Sequence, residues 1–219
     1  MGEESGVNPE KEEVIAEETA DLLDDRQIII VNNMELPDAG KDLYQAIVAC
    51  GDIEEESAAQ IIHNLLFYSQ HKINNTEEDK PVTPIELVIS TCGGSALDMF
   101  GVYDVMRRIR DETDIVTYGV GKVMSAGVLL LAAGTKGKRK IGRNCRVMIH
   151  GVMGGYHGNL TNMKNEFAEV KWIQERYIEN LVEESFLTKK KLKSMLNKHV
   201  DVYLSADEAV KYGIADIVV

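Results

Sequence analysis

The sequence predicts an α/β fold: a largely parallel sheet covered by helices. Three observations carry that expectation. Short apolar runs at residues 85–90, 114–119 and 146–149 have the length and content of buried strands. Longer segments with helical spacing and recognisable start signals lie between them, and strands alternating with helices imply parallel pairing with both faces covered. The chain has 219 residues, 44% hydrophobic and 27% charged, enough for one sizeable core and ordinary for a globular domain. No interdomain linker or fixed-period repeat stands out, so residues 1–219 are expected to form a single domain.

The elements follow in order. Residues 1–25 are acidic, and the pairs Val14-Ile15 and Leu22-Leu23 lie eight residues apart, about two helical turns, which predicts an amphipathic helix over 10–25 behind a loose tip. Residues 27–31 are a β-branched run and read as a strand. Asp52 followed by Glu55 is a helix start signal, with apolar positions continuing through Ile61, Ile62, Leu65 and Leu66. The stretch 71–84 is polar, with Asn74-Asn75 and two prolines, and reads as an exposed loop. After the strand at 85–90, a helix over 95–111 is capped by Ser95. A strand follows at 114–119, then a buried helix at 124–133 and a strand at 146–149. A long helix spans 160–186, and a shorter basic one 189–198. A strand at 202–204 leads into a helix opened by Ser205-x-x-Glu208 and closed by Gly213, and 215–219 ends the chain as a strand.

Composition narrows the function. A net charge of −12 argues against a nucleic-acid surface, which needs clustered Lys and Arg, and against an anionic membrane. Cys50, Cys92 and Cys145 form no CxxC pair, which suits a reducing, cytoplasmic setting. The acidic N-terminus has no signal-peptide core. The longest near-apolar run, 123–133, is about half of the ~20 residues a membrane span needs. His63, His71, His157 and His199 show no metal-ligand spacing, and Gly134-Thr-Lys-Gly-Lys is not a phosphate-binding loop. No metal or cofactor is expected.

Four segments could carry chemistry. Ser90-Thr-Cys-Gly-Gly-Ser95 links a strand to a helix, and its glycines can turn an N–H outward toward a ligand; alone it reads more readily as a plain turn. Gly121-Lys-Val-Met-Ser125-Ala-Gly127 places a serine at the start of a buried helix, where the dipole and neighbouring N–H groups favour a nucleophile, or where the serine is merely a cap. His150 ends an apolar strand, where open parallel sheets hold reactive groups, although a lone histidine there is often structural. Asp201 precedes the strand at 202–204 and by itself is an ordinary surface acid. Lys122, three residues before Ser125, raises a Ser–Lys dyad against a solvated lysine. Cys92 reads as small buried filler or a reactive thiol.

The order of these segments resembles the ClpP peptidases. The matching motifs are Gly93-Gly94; G-x-x-x-S-x-G over 121–127; Gly134-Thr-Lys-Gly-Lys-Arg139; Arg146-Val-Met-Ile-His150; a glycine-rich stretch with a long helix; and D-x-Y-L-S-A-x-E-A-x-x-Y-G-I-x-D over 201–216. They cover about 85–219. The resemblance implies a ClpP/crotonase-like fold with a protruding strand-helix handle at about 151–186, and a serine endopeptidase in which Ser125 is the nucleophile, His150 the base and Asp201 the triad acid. It implies an oxyanion hole from the N–H groups of Gly94 and Ala126. It also implies two stacked seven-membered rings acting on polypeptides supplied by a Clp-type ATPase. The chain departs from the family pattern in having Cys92 before the glycines, Val123-Met124 before the serine, Ala126 after it, and Gly151-Val152 after the histidine. A catalytically quiet ring subunit, a crotonase-type acyl-CoA enzyme and a Ser–Lys signal-peptide-peptidase relative are the alternatives. On the long helix, Met163, Phe167, Val170, Ile173, Tyr177 and Leu181 form one stripe that Trp172, Ile178 and Val182 widen; a broad core face and an assembly face both fit this pattern.

Overall fold

A computed structural model describes residues 45–75, 83–155, 157–196 and 200–219. The helix expected at 10–25 and the strand at 27–31 lie outside the described residues. Among the described residues are β1 (Ala46–Cys50), α1 (Glu55–Asn75), β2 (Ile85–Thr91), α2 (Ala96–Ile109), β3 (Ile115–Met124), α3 (Ala126–Ala132), β4 (Lys140–Ile141), β5 (Arg146–Ile149), α4 (Leu160–Glu184), α5 (Lys189–Leu196), β6 (Val202–Leu204), α6 (Ala206–Lys211) and β7 (Ile217–Val218).

The sheet runs β1-β2-β3-β4-β7, every one of those pairs parallel. β3 divides its free edge. Tyr118 and Gly119 pair with β4, whereas Lys122, Val123 and Met124 pair with β5. β5 also carries β6 antiparallel, with Ile149 opposite Val202. The expected mixed α/β architecture with a mostly parallel sheet is therefore present.

α3 sits at the centre. All seven of its residues are buried, as expected of a helix apolar all round. It packs against β2, β3, β5, α2 and α4. Full burial of each leucine in Leu129-Leu130-Leu131 contributes about 1.5–3 kcal/mol relative to exposure, so the residue that opens this helix is attached to the best-packed part of the fold.

Several boundaries differ from expectation, each for a local reason. Asp52 is not the cap of α1. The chain is still extended at Ile53, which bridges Gly94, and the Ser57 hydroxyl organises the start instead, accepting from the Glu54 N–H (2.8 Å) and donating to the Asp52 carbonyl (3.0 Å). α1 continues to Asn75, into the stretch expected to be loop. β3 extends to Met124, so the buried helix begins at Ala126 rather than 124. β1 and β4 were not anticipated. Around the handle, the described residues of 151–158 hold no strand. Gly151, Gly154, Gly155 and Gly158 lie in this stretch, glycine weakens a strand, and no sheet neighbour pairs with it here. The long helix expected over 160–186 is present as α4.

Candidate active site

Ser125 stands where β3 ends and α3 begins. Its backbone has φ 52° and ψ −118° and is the one positive-φ non-glycine position among the described residues. Such a conformation costs on the order of 1–3 kcal/mol and persists only where surroundings enforce it. Three constraints do so. The Ser125 N–H donates to the Met148 carbonyl of β5 at 2.9 Å. The Ser125 carbonyl accepts from the Val128 N–H at 3.1 Å and from the Tyr177 hydroxyl at 3.2 Å. The third is absence of bulk: a Cβ on Gly93 would lie 2.6 Å from the Ser125 Cβ.

This backbone aims the side chain away from its own helix. Ser125 makes no side-chain cap bond; its Oγ instead lies 2.8 Å from Nε2 of His150. The two strands bring them together, because Met124 pairs with Met148, which places the serine and the histidine just past adjacent strand ends. Contact at 2.8 Å is within the reach needed for an imidazole to take the hydroxyl proton.

The glycine turn supplies the opposite wall. Gly93 and Gly94 have φ of 116° and 148°, a region that favours glycine. The Gly93 carbonyl accepts from the Ile53 N–H, and the Ser95 N–H donates to the Ile53 carbonyl, both at 2.7 Å. Alternation along an extended strand then turns the intervening Gly94 N–H away from Ile53, and Gly94 lines the cavity beside Ser125. A Cβ on Gly94 would sit 2.1 Å from the Ile53 carbonyl oxygen, so no other residue fits. The Ala126 N–H belongs to the first turn of α3, whose N–H groups lack intrahelical acceptors, and Ala126 lines the same cavity. That cavity holds about 320 Å³, with Met99, Val152, Met153 and Tyr177 as its larger apolar walls.

Asp201 lies beside the pair but is not joined to it. The β5–β6 register, with Ile149 opposite Val202, puts position 201 across from position 150. Asp201 is exposed, and among the described residues no hydrogen bond or ion pair links its carboxylate to His150. Lys122 is not a partner of Ser125. It is exposed, and a hydrogen bond to Cys92 pushes its ammonium further toward the charged form, the wrong direction for a general base. Cys92 is exposed and lines the cavity rather than filling the core, because the turn carrying it has left the sheet. Cys145 is the buried thiol, pushed up to about 11 by desolvation, and is inert for that reason. No group of acidic, His or Cys side chains among the described residues could hold a metal ion. Two features of the site had no sequence signal: Ile53 as anchor of the glycine turn, and the Tyr177 hydroxyl on the Ser125 carbonyl. The stripe pattern marked Tyr177 only as apolar.

Residues 32–219 match the family described as Clp protease. The chain is 34% identical over 177 residues to the ATP-dependent Clp protease proteolytic subunit 1 of Prochlorococcus marinus strain MIT 9312, covering 80% of this chain and 85% of that protein. It is 32% identical over 178 residues to the ATP-dependent Clp protease proteolytic subunit 2 of Synechococcus sp. strain CC9605, covering 81% and 84%. No helix among the described residues is long and apolar enough to cross a membrane.

Proposed function

Because the chain belongs to the Clp protease family and is a serine-type endopeptidase, we propose that Ser125, His150 and Asp201 form its catalytic triad, with Gly94 and Ala126 as the oxyanion hole. The observation that carries this reading is the 2.8 Å contact between Ser125 Oγ and His150 Nε2. In the proposed cycle His150 takes the hydroxyl proton as Oγ attacks the scissile carbonyl, giving a tetrahedral oxyanion. Collapse expels the amine, which takes that proton from the imidazolium, and leaves an acyl-serine. Water, deprotonated by the same imidazole, then releases the acid and restores Ser125. The Gly94 and Ala126 N–H groups stabilise the oxyanion; removing one such donor typically costs about 3–4 kcal/mol of barrier. The carboxylate of Asp201 turns onto the remaining ring nitrogen of His150 from across the β5–β6 ladder, fixes its tautomer and stabilises its charge. The register of that ladder supports the assignment.

The proposal extends to assembly. Leu160, Met163, Phe167 and Trp172 on the first half of α4 are 46–67% exposed, and Met153 just before it is 80% exposed. A row of large apolar side chains in water favours a second copy of the chain, consistent with two stacked seven-membered rings that enclose the sites. Substrates would be unfolded polypeptides delivered by a Clp-type ATPase in the cytoplasm. The test is native mass spectrometry with peptide hydrolysis by wild type and Ser125→Ala. A large ring assembly for both proteins, with hydrolysis only by wild type, is expected. Assembled wild type with no hydrolysis, or hydrolysis surviving Ser125→Ala, would sink the proposal, the former in favour of a quiet ring subunit.

A further inference from the structure

Ser125 needs a conformation that serine avoids, and its side chain is committed to His150, so its backbone must be held by groups outside the residue itself. On the N–H side the holder is the Met148 carbonyl, a strand contact from the ladder that also positions His150. On the carbonyl side there are two. The Val128 N–H belongs to α3 and follows the serine wherever its backbone turns. The Tyr177 hydroxyl arrives from α4, remote in sequence, at 3.2 Å. Tyr177 is buried, and desolvation pushes its hydroxyl upward, which keeps it a neutral donor throughout the working pH range.

α4 is itself fixed two turns further on. Glu184 lies seven residues after Tyr177, on the same face, and is fully buried. Its carboxylate accepts from the Tyr103 hydroxyl at 3.1 Å and pairs with Arg110 at 2.9 Å and Lys136 at 2.9 Å. The donor that touches the serine therefore stands on a clamped segment, and its position is not free to follow Ser125.

We infer that Tyr177 is a positioning residue for acyl transfer: its hydroxyl holds the Ser125 carbonyl and so keeps the left-handed backbone that directs Oγ at His150. The inference rests on the serine-peptidase reading above and adds a determinant on α4, linking the seating of that helix to the reactivity of the serine. The aromatic ring also walls the cavity, a separate role that phenylalanine retains.

The experiment uses the assembled full-length protein and compares wild type with Tyr177→Phe, checked for unchanged native mass. Loss of one aimed hydrogen bond at a reacting centre predicts about a tenfold fall in kcat and in the rate of Ser125 labelling by a fluorophosphonate. KM should stay within about twofold and the midpoint of the pH–rate profile should not move, because pocket and imidazole are untouched. Tyr177→Met, which removes donor and ring together, should show the same fall in kcat and labelling, with any added change in KM reporting the lost wall. Unchanged kcat and labelling, or a loss confined to KM, would overturn the inference and leave Tyr177 a wall residue. A crystal structure of Tyr177→Phe gives a readout independent of activity. Relaxation of Ser125 out of its positive φ with lengthening of the Oγ–Nε2 contact supports the inference, and an unaltered Ser125 contradicts it. Wild type that neither cleaves nor labels would defeat the peptidase reading alone, and the crystal comparison would still decide this claim.

Discussion

The two halves of α4 share one helical ladder and meet opposite surroundings. From Ile173 onward the helix buries Ile173, Tyr177, Ile178, Leu181 and Glu184 against the core. Before that point it holds Leu160, Met163, Phe167 and Trp172 in solvent. Residue type does not explain the contrast, since apolar side chains recur at helical spacing throughout. The C-terminal half lies over α3 and ends in a charge cluster that ties it to α2 and to the loop carrying Lys136 and Arg139. The N-terminal half projects into solvent, with residues 160–169 all exposed. The buried half carries the hydroxyl that meets the Ser125 carbonyl, the projecting half leaves large apolar side chains uncovered, and the roles proposed for the two should be separable by mutation.

The largest effect should come from the clamp. Glu184→Ala removes the fully buried carboxylate that accepts from Tyr103 and pairs with Arg110 and the half-exposed Lys136, which should cost about 1.5–3 kcal/mol, the range for losing hydrogen bonds to a charged group; chemical denaturation measures it. Arg139 is nearly as critical. Almost fully buried, it pairs with Asp216 at 2.5 Å and donates to the carbonyls of Ala132, Glu184 and Gly213. In the projecting half, the double variant Phe167→Glu and Trp172→Glu should change protomer unfolding by no more than about 0.5 kcal/mol while reducing the native mass below that of the wild-type assembly. A protomer destabilised by several kcal/mol would show that this half is core after all.

Acid should act on the clamp. Burial works to raise the Glu184 carboxyl, but hydrogen bonds from Arg110 and Lys136 prevail and hold it below its ordinary 4.5. A depressed carboxyl contributes stability that is fully present above the unfolded value and lost as pH falls through the folded one. Wild type should therefore lose stability below about pH 4.5 more steeply than Glu184→Gln, as read from denaturation midpoints across that range. The most local effect should be at the tip. Asn159 caps α4 by accepting from the Asn162 N–H at 2.9 Å, and Asn159→Ala should weaken the first turns by about 1 kcal/mol. Hydrogen exchange should see this at the projecting end and not in the clamped half.

What the sequence disclosed follows the range of the forces involved. Local signals were readable: Ser95 and Ser205 cap their helices, the second through a complete capping box, and the strands at 146–149 and 202–204 fall where their apolar residues put them. Ser125 and His150 were legible from motif order, and they meet. Non-local pairing was not legible. β1 and the Ile53 bridge depend on a partner some forty residues away, the two-residue β4 is defined only by β3 and β7, and Cys92 looked buried because nothing nearby shows the chain leaving the sheet. The stripe on α4 could not tell a core from a partner, because burial in either calls for the same side chains.

If the 2.8 Å contact between Ser125 and His150 makes an acylating nucleophile, loss of the imidazole must slow acylation of Ser125. Treatment of the intact assembly with a fluorophosphonate, followed by mass mapping of the adduct in wild type and His150→Gln, tests it most directly. A single adduct on Ser125, formed about 10²–10⁴ times more slowly without the imidazole, is the predicted result. An adduct on another residue, or labelling indifferent to the loss of His150, would contradict it.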